Sequence, residues 1–455
     1  MATLTTALYN SAQALRVIGQ SLAVTQNNVT NAQTPGWARQ VQTVEARPLD
    51  IAEGLPGGTY AGPLVSTRDT WAEASVRQQQ SALSFSQQTV SDLNYLQPLF
   101  DLTGASGVSG AINNLFKSFS QLSINPNDTV SRQNVLTQAQ ATAQAFQQAA
   151  TGIMNQATTV ENETRGTVDD INRLGGIIAQ INSQTRVNAD GSVDAGVDAQ
   201  MYSTLEELSQ DVSFTTIRGA DGKVSVYLGG QTPLVLGDTA YGIQGDFSLP
   251  QAQITGHDGK DITGQLTGGR IGSQINTTNN LLPSYLSGLN SLAQTLADQV
   301  NTTLAGGLDQ NGQAPTEDLF DYSAASGAAY TLSVNPLTPD QIAAASPDAP
   351  GGNGNALALS ALANAKLVNG YTFSSAFGNL GGQVGQDISN AQSQQQAQEN
   401  LLTQAQNLRA QVSGVNLDEE AASLINEQQA YQATAKMFDI LNTLDDAVLG
   451  MIPPA

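Results

Sequence analysis

The side chains best suited to catalysis are few and scattered in this sequence. Its one histidine, His257, stands beside Asp258 and Asp261 in a stretch rich in turn-forming residues. His257 could act with a serine or bind a metal, but neither a second histidine nor a nucleophile motif accompanies it, so we interpret it at roughly nine to one as part of a polar turn. The absence of cysteine excludes disulfides, thiolate zinc sites and a cysteine nucleophile. We therefore predict no enzyme activity, no cofactor and no bound metal.

Two acidic stretches could support other chemistry. Residues 190–198 hold Asp190, Asp194 and Asp198, but the spacing does not match a helix–loop–helix calcium site and no glutamate closes it, so we predict a loop. Residues 418–420 are Asp-Glu-Glu and could form a catalytic carboxylate pair. They fall in the first turn of a predicted helix, where negative charge favours the helix dipole and can cap free N–H groups. We favour the capping interpretation.

Apolar residues recur at seven-residue spacing at both ends of the chain. A stripe this narrow needs a facing helix, and each end could supply one for the other. An ordinary core helix of a bundle fits the spacing about equally well. The candidate assembly residues are Leu4, Leu8, Leu15, Ile18, Leu22 and Val29 in the N-terminal stripe, and Leu417, Leu424, Tyr431, Phe438, Leu441 and Val448 in the C-terminal stripe.

Composition narrows the class of partner. The chain has 455 residues, enough for two or three domains, and carries 17 basic against 39 acidic residues, a net charge of -22. This charge disfavours nucleic acid and anionic membrane surfaces. Charged residues make up 12% of the chain, against about 25% in typical domains, and a neutral polar surface suits packing against copies of the same chain. The sequence shows neither a secretory signal nor a membrane-spanning stretch, so we expect a cytoplasmic protein or one exported by another route.

Helical periodicity dominates the chain and predicts a nested architecture. Helices are predicted near 4–31, 71–100, 129–188, 269–304 and 384–411, and Asp221-Gly222 between alternating runs predicts a hairpin. The predicted fold is mainly α with β-rich inserts: terminal helices paired as an antiparallel coiled coil, a long helical bundle in the middle and outward β domains. The predicted domains are a terminal coiled-coil domain from 1–36 and 413–455, a helical domain from 37–210, 268–305 and 381–412, and a β-rich outer region from 211–267 and 306–380.

Two terminal motifs carry a resemblance to a known family. Residues 27–37, NNVTNAQTPGW, resemble the N-N-[IL]-A-N-x-x-T-x-G-[YF] signature of bacterial flagellar rod, hook and hook-associated proteins, with Thr30 and Trp37 in place of the usual alanine and tyrosine. Residues 413–420, SGVNLDEE, with 428–433, resemble the C-terminal signature of the hook–filament junction family, the FlgK family. The matching positions are Asn27, Asn28, Asn31, Thr34, Pro35, Gly36, Trp37, Gly414, Val415, Asn416, Leu417, Asp418, Glu419, Glu420, Gln428 and Tyr431.

The resemblance implies a structural subunit of the bacterial flagellum that forms the junction between hook and filament through its paired terminal helices. The implied partners are copies of itself, the hook protein below, a second junction protein of the FlgL type above, and a FlgN-type export chaperone at the C-terminal region. Such subunits leave the cell through the flagellar type III export apparatus without a cleaved signal peptide. The resemblance therefore implies an extracellular location in the flagellum, with no nucleic acid partner and no membrane insertion.

Three alternatives stay open at this point. A flagellar hook or distal-rod subunit would carry a different C-terminal motif and a more β-rich middle. A secreted adhesin or coiled-coil scaffold would need an export signal or anchor. An enzyme acting on wall polymers would need a convincing acid–base pair.

Overall fold

The computed structural model describes residues 2–50, 55–101, 106–188, 192–248 and 251–450. Within these ranges the protein is mainly helical, which confirms the predicted class. A π-helical segment, Thr277–Leu281, joins the helices Gly269–Asn276 and Leu282–Ala305. The helices are α1 (Ala2–Asn31), α2 (Thr70–Asn94), α3 (Gly107–Ile124), α4 (Thr129–Gln184), α5 (Ala195–Asp211), α6 (Gly269–Asn276), α7 (Leu282–Ala305), α8 (Ala328–Thr331), α9 (Gly354–Ala361), α10 (Phe373–Ser413) and α11 (Leu417–Gly450).

The strands are short and all of their pairings are antiparallel. The strands are β1 (Gln40–Ala46), β2 (Leu49–Asp50), β3 (Leu55–Pro56), β4 (Thr59–Ser66), β5 (Phe214–Arg218), β6 (Val224–Leu228), β7 (Thr232–Leu236), β8 (Thr239–Ala240), β9 (Gln244–Asp246), β10 (Gln253–Thr255), β11 (Phe320–Asp321) and β12 (Ser333–Val334). Strands β5 to β8 form a four-stranded sheet in chain order, and the others form two-stranded ribbons.

The chain is nested, because its first and last helices pack together and the next ones inward do the same. Helix α1 lies along α11, and α2 lies along α10. The α1–α11 pair is antiparallel: Asn28 reaches Glu420, while Thr25, one turn earlier, reaches Glu427, two turns later. Among the helices of the described ranges, none is long and apolar enough to cross a membrane.

Two hydrophobic cores lie one after the other along the 56-residue helix α4. The first core joins its N-terminal part to α3, α7, α9 and the start of α10. The second joins its C-terminal part to α5, α6 and the β5–β8 sheet, whose inner face buries Val226, Leu228 and Val235. Because this sheet completes the second core, it is not a free-standing appendage of the helical body.

A largely polar layer, with Val160 as a buried apolar member, separates the two cores between Ile153 and Val168 of α4. Thr89 of α2 shares a buried 2.7 Å hydrogen bond with Ser273 of α6. One turn along α2, Asp92 is 2% exposed, and its backbone carbonyl accepts a hydrogen bond from Gln156. The helical body is therefore divided by a layer of polar side chains where an apolar one would be usual.

The predicted helical domain includes the antiparallel pair of β1 and β4. One predicted region differs from the structure. Residues 306–380 were predicted to be β-rich, yet their strands are the two-residue β11 and β12, and α8 and α9 lie among loops. The physical reason is burial: short apolar pieces such as Leu332, Ile342 and Leu359 insert separately into the first core instead of alternating along a sheet.

Candidate functional site

The predicted stripes lie on the paired terminal helices, and the single chain covers them only in part. Leu4, Leu8, Leu15, Ile18 and Leu22 of α1 are half-buried, as are Leu424, Phe438 and Leu441 of α11. Val29, Leu417, Tyr431 and Val448 are exposed. Since none of these twelve side chains is fully buried, pairing within one chain leaves part of each stripe open.

A second apolar surface on α11 was missed by the heptad pattern. We call it the α11 outer face; it consists of Ile425, Met437, Ile440 and Leu444, each between 50% and 61% exposed. The spacing of the last three, at i, i+3 and i+7, is the signal that could have revealed it. A helix with apolar residues on both sides is typical of one that packs against more than one neighbour.

A buried polar cluster, which we call the clasp, joins the two chain ends at the base of the terminal helices. It is built around Asn28, whose side chain is 1% exposed near the end of α1. The Asn28 Oδ1 accepts a 2.9 Å hydrogen bond from the Gln40 backbone N–H, and its Nδ2 donates to the Gln40 carbonyl at 2.8 Å. This two-bond contact holds the first residue of β1 against α1.

Glu420 closes the clasp from the other end of the chain. It is 1% exposed, and its carboxylate accepts hydrogen bonds from Asn28 Nδ2 at 3.2 Å and from Arg39 Nε. The capping interpretation of residues 418–420 is therefore wrong for Glu420. Asn416 caps the helix instead, because its Oδ1 accepts from the backbone N–H of Asp418. Asp418 and Glu419 are exposed.

Backbone contacts extend the clasp to the break between α10 and α11. The Arg39 N–H donates to the Ser413 carbonyl at 3.0 Å, and the Ser413 Oγ accepts from the Asp69 N–H at 2.9 Å. Gly414 follows, where a Cβ would lie 2.4 Å from the Ala410 carbonyl oxygen, so a larger residue would clash with the last turn of α10. The end of α10 therefore lies against the segment that joins α1 to β1.

The turn after α1 is formed by the remaining N-terminal motif residues. Asn31 Nδ2 donates to Asn27 Oδ1 at 2.5 Å, and Thr34 Oγ1 donates to Asn31 Oδ1 at 3.1 Å. Gly36 has a φ of 73°, and a Cβ there would lie 2.1 Å from the Ala199 carbonyl oxygen. The close approach of α5 therefore requires glycine at this position. Asn27, Pro35, Gln428 and Tyr431 are exposed, and Trp37 and Val415 are half-buried.

An ion-pair network beneath the clasp was not visible in the sequence. The Arg68 side chain is 6% exposed, pairs with Glu73 and with Asp198 at 2.8 Å, and donates to the Gly36 carbonyl at 2.6 Å. Its guanidinium lies 3.9 Å from the centroid of the Tyr202 ring. Arg409 of α10 bridges Glu73 and Glu206, at 3.3 and 2.7 Å. These contacts fix α2, α5 and α10 around the root of the terminal helices.

Titration at the chain ends is governed by burial. Burial raises the pKa of Glu427, which faces Thr25 of α1, and the charge of Glu420 raises it further, while a hydrogen bond from Thr25 opposes the shift. Burial also lowers the pKa of Arg77, which lies within 6 Å of the ring centroids of Tyr202 and Phe214.

The remaining candidate residues have local roles. His257 is exposed in the turn after β10, with its ring 4.5 Å from that of Tyr241, and the neighbouring Asp258 pairs with Lys260. Asp190 lies outside the described residues, whereas Asp194 caps α5 through the N–H groups of its second and third residues. In the part of the chain that the structure describes, no three His, Cys, Asp or Glu side chains are grouped to hold a metal ion.

Comparison with known proteins identifies the kind of assembly that such chain ends serve. Residues 93–320 match the family described as flagellar hook-associated protein FlgK helical domain, and residues 409–451 match the flagellar basal body rod FlgEFG protein C-terminal family. Flagellar hook-associated protein 1 of Bacillus subtilis (strain 168) is 25% identical over 97% of both chains, and that of Escherichia coli (strain K12) is 22% identical over 97% of this chain and 99% of its own. The flagellar hook junction protein FlgK from Burkholderia pseudomallei shares the fold, with a TM-score of 0.67, 17% identity, and coverage of 75% of this chain and all of that one.

Proposed function

Because the chain belongs to the FlgK family of flagellar hook-associated proteins, we propose that it is a structural subunit of the bacterial flagellum at the junction between hook and filament. The relatives are matched along nearly their whole length. The observation that carries a role in assembly is the apolar surface that α1 and α11 leave uncovered at the clasped chain ends. The role is structural, and its chemistry is binding rather than catalysis.

Self-assembly through the terminal helices follows from the uncovered surface. The stripe residues and the α11 outer face gain stability only when a neighbouring helix removes them from water, at about 25 cal/mol per Å² of apolar area. We assign the assembly contacts to both sets: the stripes complete the α1–α11 pair, and the outer face meets the next copy. The clasp holds both helices at one point, so that they enter the assembly as a unit.

The domain organisation and the partners follow from the same proposal. We assign residues 1–36 and 413–455 to the inner-tube unit and the helical body to the layer outside it; the β5–β8 sheet and the apolar pieces of 306–380 are packed into the two cores of that body. The subunit meets the hook protein on one side and an FlgL-type junction protein on the other. An FlgN-type chaperone holds the C-terminal region before export through the flagellar type III apparatus, which places the assembled protein outside the cell.

A hook or distal-rod subunit is the alternative. The match of 409–451 to a rod-protein C-terminal family is compatible with it. The match of 93–320 to the FlgK helical domain favours the junction role, since this region forms the helical body between the chain ends.

Complementation of a strain lacking this protein tests the proposal. We expect that strain to carry hooks without filaments, and the wild-type chain to restore filaments. Ile440→Asp should fail to restore them, because a carboxylate on the α11 outer face would be desolvated in the assembly. Gln432→Asp, which adds the same charge at an exposed polar position of α11, should restore them. Filaments in the Ile440→Asp strain would contradict the proposed contact, and filaments in the strain lacking the protein would contradict the junction role.

A further inference from the structure

We propose that a cavity between α2 and the start of β5, which we call the Arg77 cavity, binds a small oxyanion: a phosphate ion or the carboxylate of a small organic molecule. Its volume is about 430 Å³, and it is lined by Arg77 and Ser81 of α2, by the end of α5, and by Ser213, Phe214 and Thr216. Such a ligand would bind the free chain, so the site does not depend on the role proposed in the flagellum.

The cavity is a positively charged place on an acidic protein. Arg77 is the only charged side chain among the described residues that line it. The chain as a whole has 39 acidic and 17 basic residues, so most of its surface repels anions. A guanidinium stays charged at neutral pH, and an anion is therefore the ligand that the electrostatics of this cavity favour.

Arg77 keeps an unused donor because the neighbouring carboxylates are engaged elsewhere. Its Nη1 is buried and has no hydrogen-bond partner among the described residues. Burial lowers the pKa of Arg77, and the charges of Glu73 and Glu206 oppose this shift. Both carboxylates are bound by other arginines, Glu73 by Arg68 and Arg409, and Glu206 by Arg409. Residues at the end of α5 line the same cavity, yet none of their oxygens accepts a hydrogen bond from Nη1.

The aromatic rings beside Arg77 do not take the place of an anion. Its guanidinium lies 5.8 Å from the ring centroid of Tyr202 and 5.9 Å from that of Phe214. These distances are close to the limit of about 6 Å within which a ring attracts a cation. The Tyr202 ring also lies 3.9 Å from the guanidinium of Arg68. A buried donor of a charged group is costly to leave unpaired, and a bound oxyanion would pair it.

A buried hydroxyl supplies a second contact for the same ligand. Ser81 lies one helical turn after Arg77, on the same side of α2. It is 4% exposed, and its Oγ has no hydrogen-bond partner among the described residues. A Cβ at Gly268 would lie 2.7 Å from this oxygen, so glycine leaves room beside the hydroxyl. Guanidinium and hydroxyl donors together suit the oxygens of phosphate or carboxylate, and the Phe214 ring offers an apolar wall to an organic anion.

Isothermal titration calorimetry on the free full-length chain tests the proposal. Sodium phosphate and sodium benzoate are titrated separately, each against sodium chloride at the same ionic strength. We expect saturable binding at one site per chain, and the tighter of the two probes identifies the ligand as inorganic or organic. Arg77→Gln should weaken this binding at least about tenfold. The matched control is Arg186→Gln, which removes the same charge from an exposed arginine that donates to backbone carbonyls and should leave the affinity nearly unchanged.

Ser81→Ala provides a second test that does not depend on the stability of Arg77→Gln. It removes a buried hydroxyl that has no hydrogen-bond partner in the described part of the chain, so the melting temperature without ligand should not fall. The affinity for the tighter probe should drop about fivefold, the loss expected for one hydrogen bond. Heats that match those of chloride for both probes would overturn the proposal. So would saturable binding that Arg77→Gln or Ser81→Ala leaves unchanged, and neither result would affect the junction role.

Discussion

Replacing Asp92 by asparagine should stabilise this protein at alkaline pH. Asp92 lies in the polar layer between the two cores and is 2% exposed. Burial raises its pKa to about 7; a hydrogen bond from Gln88 opposes the shift, and the charge of Glu163 adds to it. The groups that face Asp92 are neutral or acidic: Gln88 of its own helix, Gln156 and Glu163 of α4, and Thr277 of the π-helical segment. Among them, no positive charge compensates the buried carboxylate.

The sign and size of the effect follow from linkage. An ordinary aspartate pKa is 3.8, so the folded state holds this proton more tightly by about three pKa units. The contribution of Asp92 to stability is therefore fully present below about pH 4 and is lost as the pH rises to about 7. At about 1.36 kcal/mol per unit, the loss is on the order of 4 kcal/mol. Asparagine keeps the shape without ionising, but its amide needs partners, so we expect a net gain of roughly 2–4 kcal/mol at pH 8.

Urea unfolding followed by circular dichroism measures this difference. At about pH 8 the midpoint of Asp92→Asn should lie well above that of the wild type, and near pH 4 the two should almost coincide. Asp169→Asn, at an exposed position of α4, removes the same charge and should change little at either pH. A stabilisation of Asp92→Asn that is equal at both pH values, or a loss of stability at pH 8, would refute the reasoning.

Three further substitutions test the chain ends. Glu420→Ala should open the clasp, because Asn28 and Arg39 lose a buried acceptor. We expect the protection of α1 against hydrogen exchange to fall by about 2–4 kcal/mol. Glu419→Ala, at the exposed neighbouring position, should leave that protection unchanged. Gly36→Ala should lower the melting temperature, at a cost of at least about 1–3 kcal/mol, because its Cβ would meet the Ala199 carbonyl; Gly19→Ala, with open space around it, should not. Leu424→Asp should abolish incorporation into flagella. It should barely shift the melting temperature of the free protein, because neither of the two large cores includes residues of α11. A much lower melting temperature would place Leu424 in an intramolecular core.

Helical periodicity explains why much of the fold could be predicted. A helix that packs on one side carries an apolar residue every three or four positions, so α1 and α4 follow from local spacing. The pairing of the chain ends needed the family resemblance as well, because an ordinary bundle fits the same spacing. The same principle explains the failure at 306–380. Pieces of four to eight residues are too short to show a period, and their burial depends on a core built by distant helices.

The polar contacts of the clasp and the network below it could not be predicted from spacing. Arg68 and Asp198 are 130 residues apart, and Asn28 and Glu420 are 392 apart. Such a pair joins one residue from each of two distant segments, so it produces no periodic pattern in the sequence. The family motifs did place Asn28 and Glu420 among residues of interest, but the sequence favoured helix capping for Glu420. The ion pair between Arg39 and Glu420 forms only when α11 packs beside the start of β1, so it depends on the tertiary structure.

The clasp also explains how two loosely packed helices keep a single register. The stripes of α1 and α11 are apolar side chains that are half-buried or exposed, and they pack almost equally well after a shift of one heptad. Asn28 and Glu420 are 1% exposed, and the 3.2 Å hydrogen bond between them forms only when the two residues face each other. A shifted register would bury an unpaired carboxylate, which costs several kcal/mol. Because the α11 outer face is carried on the same helix, the clasp also sets its position relative to the helical body, and Glu420→Ala removes the part of the clasp that α11 contributes.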